Sequence, residues 1–140
     1  MTSVWQLYKD TVFILKQPVS AHLNFAIITA CNPNGVILNH SENSLKDKML
    51  QSDILSLNVP YRSITGCSAN FCHKEKSWIV AIEKAEAIKL ADKYQQNAIF
   101  WVEANQLYLT PCRLMAEMYQ EEFIGLFNQR IKLSMSEVAY

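Results

Sequence analysis

The sequence predicts an α+β fold of the split βαβ kind, an antiparallel sheet with its helices on one face. Three observations predict it: an uncharged, β-branched apolar run, LNFAIITA; two stretches with apolar residues at helical spacing; and the order strand, helix, strand, strand, helix, strand. Right-handed crossovers around the two helices place the first strand in the middle, beside the fourth and the third. Further helices are expected at 4–16 and 113–133, on either side of a core at about 23–110 within a single domain spanning 1–140.

In chain order, Val4, Leu7, Tyr8, Val12 and Leu15 fall at helical spacing, and Pro18 forbids continuation. The LNFAIITA run follows as a central strand buried on both faces. After a loop, Leu45, Met49, Leu50, Ile54 and Leu57 repeat at three and four, with Glu42 where a helix dipole favours negative charge. YRSITGC and SWIVAIE then read as two strands joined by the polar stretch SANFCHKEK, so they should pair antiparallel. Ala87, Leu90, Ala91 and Tyr94 mark a further helix. Ala98 to Glu103 and Leu107 to Thr110 read as short strands bent around Ala104-Asn105-Gln106, a tight hairpin. Met115, Met118, Tyr119, Phe123, Leu126, Phe127 and Ile131 complete the pattern at helical spacing.

Composition bounds the function. The chain has 140 residues, half of them hydrophobic, with three Gly and four Pro, which is the make-up of a folded domain. Thirteen Lys plus Arg balance thirteen Asp plus Glu, so the electrostatic term that drives non-specific nucleic-acid binding is missing and nucleic acid is not an expected partner. Trp78, Phe100, Trp101 and Tyr108 could stack bases on an open sheet face, but such rings usually belong to the core. No apolar run is long enough to span a membrane, and Lys9, Asp10 and Lys16 interrupt the first apolar stretch, which predicts a cytoplasmic protein. Cys31, Cys67, Cys72 and Cys112 are expected as free thiols. Cys72 and His73 are adjacent and point to opposite faces of a strand, so no metal and no cofactor are expected.

The candidate site is the end of the first core strand. TACNPNG delivers Thr29, Asn32 and Asn34 to a sheet edge at a sharp turn. Asn32 there either closes an Asx turn ahead of Pro33 or belongs to a ligand loop, since polar loops held by rigid strands are where binding concentrates. Glu42 and Asn43 open the next helix, Glu75 and Ser77 open the strand SWIVAIE, and Gln96 precedes the strand AIFWVE. Each is also explained as a capping or rim residue.

The ordered set ITACNP, SEN, EKSWIV and AIKLADKYQQNAIFWVE resembles a family of short bacterial proteins catalogued as domain of unknown function 3293, over roughly Phe25 to Leu109. The resemblance implies a shared surface at Thr29, Asn32, Pro33, Glu42, Asn43, Glu75, Ser77 and Gln96, and no known activity. This chain departs from the pattern at Cys31, at Trp78 for Phe, and at Gln95, where a Gly would supply a left-handed helix end.

The sequence therefore favours a module that holds a small ligand or a protein partner through the loop after the first core strand. The alternative is a small hydrolase or nuclease-like enzyme acting on a nucleotide or RNA. There Glu42 or Glu75 is the general base, with Asn32, Asn43 and Gln96 as orienting groups. The C-terminal helix is expected to dock on the open sheet face or to pair two copies in a homodimer.

Overall fold

The computed structural model describes residues 3–140. Its strands are β1 (Val12–Leu15), β2 (Phe25–Ile28), β3 (Tyr61–Cys67), β4 (Lys74–Val80), β5 (Ala98–Glu103), β6 (Gln106–Pro111), β7 (Glu122–Leu126) and β8 (Ile131–Leu133), and its helices are α1 (Val4–Lys9), α2 (His40–Ser56) and α3 (Lys84–Lys93). The strands form one curled sheet in the order β7-β6-β5-β2-β4-β3-β1-β8, antiparallel throughout except for the parallel pair β1–β8.

This arrangement overturns the expected split βαβ, ferredoxin-like fold with terminal helices. The sheet is mixed, and it has eight strands because both segments expected to be terminal helices supply strands instead. At the N-terminal end the helix stops at Lys9, and Val12–Leu15 alternates half-buried and buried, with Phe13 and Leu15 inside. Val4, Leu7, Tyr8, Val12 and Leu15 fit a helical template, but the β-branched second half also fits a period of two, and the free edge of β3 decides it: Phe13 pairs with Gly66.

Residues 113–133 contain no helical stripe either. Met118 and Phe123 are exposed, while Glu122–Leu126 adds to the edge of β6 across a bulge at Leu107/Tyr108. Gly125 sits in that bulge at φ +133°, and a Cβ there would lie 3.6 Å from the Arg130 guanidinium. That close approach lets Arg130 donate from Nη1 to the carbonyls of Lys9 (2.8 Å) and Thr11 (2.9 Å) and from Nη2 to that of Ile124. In place of the α-helix expected at 113–133, the segment supplies β7, a 3-10 turn at Phe127–Arg130 and β8.

The sheet has two covered faces. On one, Ala26, Ile28, Trp78, Val80, Ile99 and Trp101 pack against Leu50 and Ile54 of α2 and Ala87 and Ala91 of α3. The predicted stripe on α2 is rotated in fact: Leu45, Met49 and Leu57 are exposed, and Asp47, Leu50 and Ile54 face inward. Trp78 and Trp101 are therefore core residues. On the opposite, concave face Phe13, Phe25, Phe100 and Phe127 meet edge to face or tilted, at centroid distances of 5.1–5.9 Å. Phe13 lies across the sheet from Gly66, the pairing by which a ring covers a strand glycine.

Two local features behave as their residues require. The β5–β6 turn places Ala104 and Asn105 at φ +49° and +68°, the two positive angles of a type I′ hairpin. Helix α3 ends in a Schellman motif, with Gln95 at φ +54° and Gln96 N–H donating back to the Ala91 carbonyl (3.1 Å). All four cysteines are free. No helix among the described residues is long and apolar enough to cross a membrane.

Candidate functional site

The concave face is incompletely filled. Between it and α1 lies a cavity of about 340 Å³ whose floor is apolar, made by Phe13, Ile27, Phe100 and Leu109. Helix α1 walls one side with Leu7 and Tyr8, and it is held there by Trp5, which is buried, stacks on Tyr119 at 4.5 Å and donates to Glu122 Oε1 (3.3 Å).

The polar end of the cavity is built where β2 and α3 both finish. Thr29 Oγ1 donates to the Lys76 carbonyl (2.8 Å) and accepts from the Cys31 N–H (3.1 Å), which stops the strand and turns the chain. Asn32 then adopts a left-handed conformation, φ +49° and ψ +62°, which Asn tolerates better than most residues. Its N–H donates to Asn43 Oδ1 (2.9 Å), its Oδ1 accepts from Asn43 Nδ2 (2.9 Å) and from the Leu38 N–H (3.0 Å), and its Nδ2 donates to Glu75 Oε2 (3.1 Å). Asn32 therefore ties the loop after β2 to the start of α2 and to β4.

Glu75 Oε2 also meets His73 Nε2 at 2.9 Å. That hydrogen bond holds the His73 pKa above 6.5, against the opposing effect of partial burial. A histidine raised in this way stabilises the fold fully below pH 6.5, and the contribution is lost as pH rises through the folded-state pKa. Proton NMR titration of His73 is expected to give a midpoint above 6.5 in the wild type and a lower one in Glu75→Gln. Equal midpoints would show that the contact does not persist in solution.

On the α3 side, Gln96 is only 7% exposed, and its Nε2 donates to the carbonyls of Cys31 (3.0 Å) and Tyr94 (3.2 Å). The next residue, Asn97, donates from Nδ2 to Tyr8 Oη (3.1 Å), and burial pushes the Tyr8 phenol above its ordinary pKa. Cys31 and Cys67 also face the cavity; burial raises both thiols, Cys31 to about 11, so both are protonated near neutral pH.

Of the residues marked out in the sequence, Thr29, Asn32, Glu75, Ser77 and Gln96 line this one cavity. Asn43 stands behind Asn32 as its hydrogen-bond partner. Asn34 and Glu42 are not in the lining. Asn34 spends its N–H on the Gln95 carbonyl (2.8 Å), and Glu42 is exposed in the first turn of α2, its N–H capped by Asn39 Oδ1 (2.8 Å). Tyr8 and Asn97 belong to the cavity and were not singled out, and His73, which also lines it, was weighed only as a metal ligand. Asn97 could have been found as a second polar residue at the same strand entry as Gln96, whereas Tyr8 gives no signal until α1 is placed.

Among the lining residues, Glu75 supplies the carboxylate and His73 the imidazole. Chemically the arrangement is an apolar chamber with a carboxylate, an imidazole and several amides at one end. Among the described residues, no group of three or more His, Cys, Asp or Glu side chains could hold a metal ion.

No curated protein and no solved structure matches the chain. A family model does, over residues 28–99, a range that takes in the polar end of the cavity but leaves out Tyr8, Phe13 and Leu109. The chain belongs to that family, described as protein of unknown function (DUF3293).

Proposed function

We propose that this domain binds a small, partly apolar molecule in the cavity on the concave face of its sheet. The observation that carries the reading is a chamber of about 340 Å³ with an apolar floor and a cluster of hydrogen-bonded polar side chains at one end. Small-molecule sites commonly have that volume and that division of surface. The loop after β2 supplies part of the polar end through Asn32, but the floor comes from β1, β2, β5 and β6.

A second reading has one specific observation behind it. Glu75 shares a hydrogen bond with His73 and is oriented by Asn32, the relation a general base needs. Glu42, at the surface, is not placed for that role.

A thermal-shift screen of small organic molecules tests the binding reading, run in parallel on the wild type and on Gly66→Ile. A Cβ at Gly66 meets its nearest neighbours, Ser77, Glu75 and Phe13, at 3.7–4.0 Å, so the first carbon fits and the rest of the isoleucine side chain intrudes on the cavity. A ligand at a hundredfold excess over its Kd is expected to raise the wild-type midpoint by roughly 10 °C. The shift should vanish in Gly66→Ile. A ligand that stabilises both proteins equally would show that binding occurs elsewhere.

A further inference from the structure

We propose that the ligand of this cavity carries a protonated amino group on an apolar body, an organic amine whose ammonium is received at the polar end by Glu75, Gln96 and Asn97. The proposal rests on the cavity being a ligand site and adds the chemical class of what it takes.

Both hydrogens of Gln96 Nε2 are used, one on the Cys31 carbonyl (3.0 Å) and one on the Tyr94 carbonyl (3.2 Å), which fixes the amide orientation. Gln96 Oε1 then has no hydrogen-bond partner among the described residues, on a side chain that is 7% exposed and lines the cavity. Because no fully enclosed side-chain oxygen or nitrogen among the described residues lacks a partner, this oxygen is accessible, on a residue that lines the cavity. An oxygen that is open only on this side takes its donor from whatever fills the chamber, water or a ligand.

The same imbalance recurs beside it. Asn97 gives its Nδ2 to Tyr8 Oη, leaving Oδ1 without a protein donor. Glu75 takes Asn32 and His73 on Oε2, leaving Oε1 without one. The hydroxyls of Thr29 and Ser77, which could have donated inward, are turned to the carbonyls of Lys76 (2.8 Å) and Glu75 (3.3 Å). The unspent donors beside these acceptors, the Tyr8 hydroxyl and the second hydrogens of the Asn32 and Asn97 amides, are neutral, whereas Glu75 Oε1 belongs to a carboxylate whose other oxygen is taken by Asn32 and His73.

An ammonium suits that set, offering three N–H donors and a positive charge, while a carboxylate or phosphate offers neither. The floor is compatible with it. Phe13 and Phe100 stand edge to face at 5.1 Å, so an aromatic or aliphatic body has apolar contact and a cation has ring faces nearby.

The test uses three probes of one shape that differ in the polar group: 2-phenylethylamine, 2-phenylethanol and phenylacetate. Each is titrated into the wild type, Glu75→Gln and Gly66→Ile, with affinities taken from amide chemical shifts of the lining residues. The amine is expected to bind at least about tenfold more tightly than the alcohol, the preference that one charge-assisted hydrogen bond supports. The acid should bind most weakly. Glu75→Gln should reduce amine affinity by about tenfold and so narrow the amine-to-alcohol ratio.

An alcohol or acid that binds the wild type as tightly as the amine overturns the amine proposal, as does an amine-to-alcohol ratio unaffected by Glu75→Gln. In either case binding that is lost in Gly66→Ile keeps the cavity as a ligand site. If none of the three probes shifts the lining residues, the amine proposal falls, and the thermal-shift screen alone decides whether the cavity is a ligand site.

Discussion

Trp78→Ala is expected to lower the free energy of unfolding by about 4–5 kcal/mol, read from urea denaturation midpoints at unchanged m-value. Trp78 stands on the strand next to the centre of the sheet and packs with Leu50, Ile54 and Trp101 beneath the helices. It also meets Tyr61 edge to face at 5.8 Å. Its indole N–H donates to Asp47 Oδ1 at 2.8 Å, and the Lys76 ammonium lies 3.5 Å from the other oxygen of that carboxylate. Truncation opens a large void and takes the donor away from a buried acid, two effects that act in the same direction. Trp78→Phe, which installs the residue expected from the family resemblance, keeps most of the ring and removes only the hydrogen bond. Its expected effect is about 2 kcal/mol. A Trp78→Ala loss below that value would show that α2 is not docked through this contact.

Asn32→Ala is expected to be nearly as damaging, at about 3 kcal/mol. The substitution leaves the Leu38 N–H and the Asn43 amide without their acceptor and Glu75 without its donor. It also places a Cβ-bearing residue that cannot bond locally at φ +49°. Asn32→Gly separates the two causes, because glycine loses the same hydrogen bonds and relieves the backbone strain. The glycine variant should be more stable than the alanine variant by about 1 kcal/mol. Equal stabilities would mean that the left-handed geometry at this turn is not maintained in solution.

What the sequence disclosed and what it withheld divide along a physical line. Helix α3, the β3–β4 pairing and the β5–β6 hairpin are each decided by residues close to one another in the chain. Ala87 and Ala91 show the helical period, and Ala104-Asn105 shows the turn. The edges of the sheet are decided at a distance. Nothing near Val12–Leu15 says that Gly66 will present a gap for Phe13, and nothing near Glu122–Leu126 says that Arg130 will reach back to Lys9 and Thr11. In both segments an apolar spacing that suits a helix was resolved as strand by an edge in need of a partner.

The site follows the same division. Thr29, Asn32, Glu75, Ser77 and Gln96 attract attention as polar residues at the ends of apolar runs, which is a local property. That they share one cavity depends on the curl of the sheet, and Tyr8 joins them only because Trp5 docks α1 against Tyr119. Glu42 lies outside that lining, exposed in the first turn of α2. Its place at a helix start is explained by capping, since Asn39 already holds its N–H.

The parallel pairing of β1 with β8 has a bearing on the order in which the molecule is made. Phe13 faces Ile131 across two strands drawn from opposite ends of the described chain, so no turn brings them together and closing that contact restricts nearly the whole polypeptide. Pairings of this kind form slowly, after the local hairpins and helices have ordered their own segments. Phe13 and the neighbouring α1 are also floor and wall of the cavity. The chamber is thus expected to close late in folding. A molecule that fits it meets a chain already folded around the rest of its core, and acts as a brake on unfolding rather than as a guide to folding.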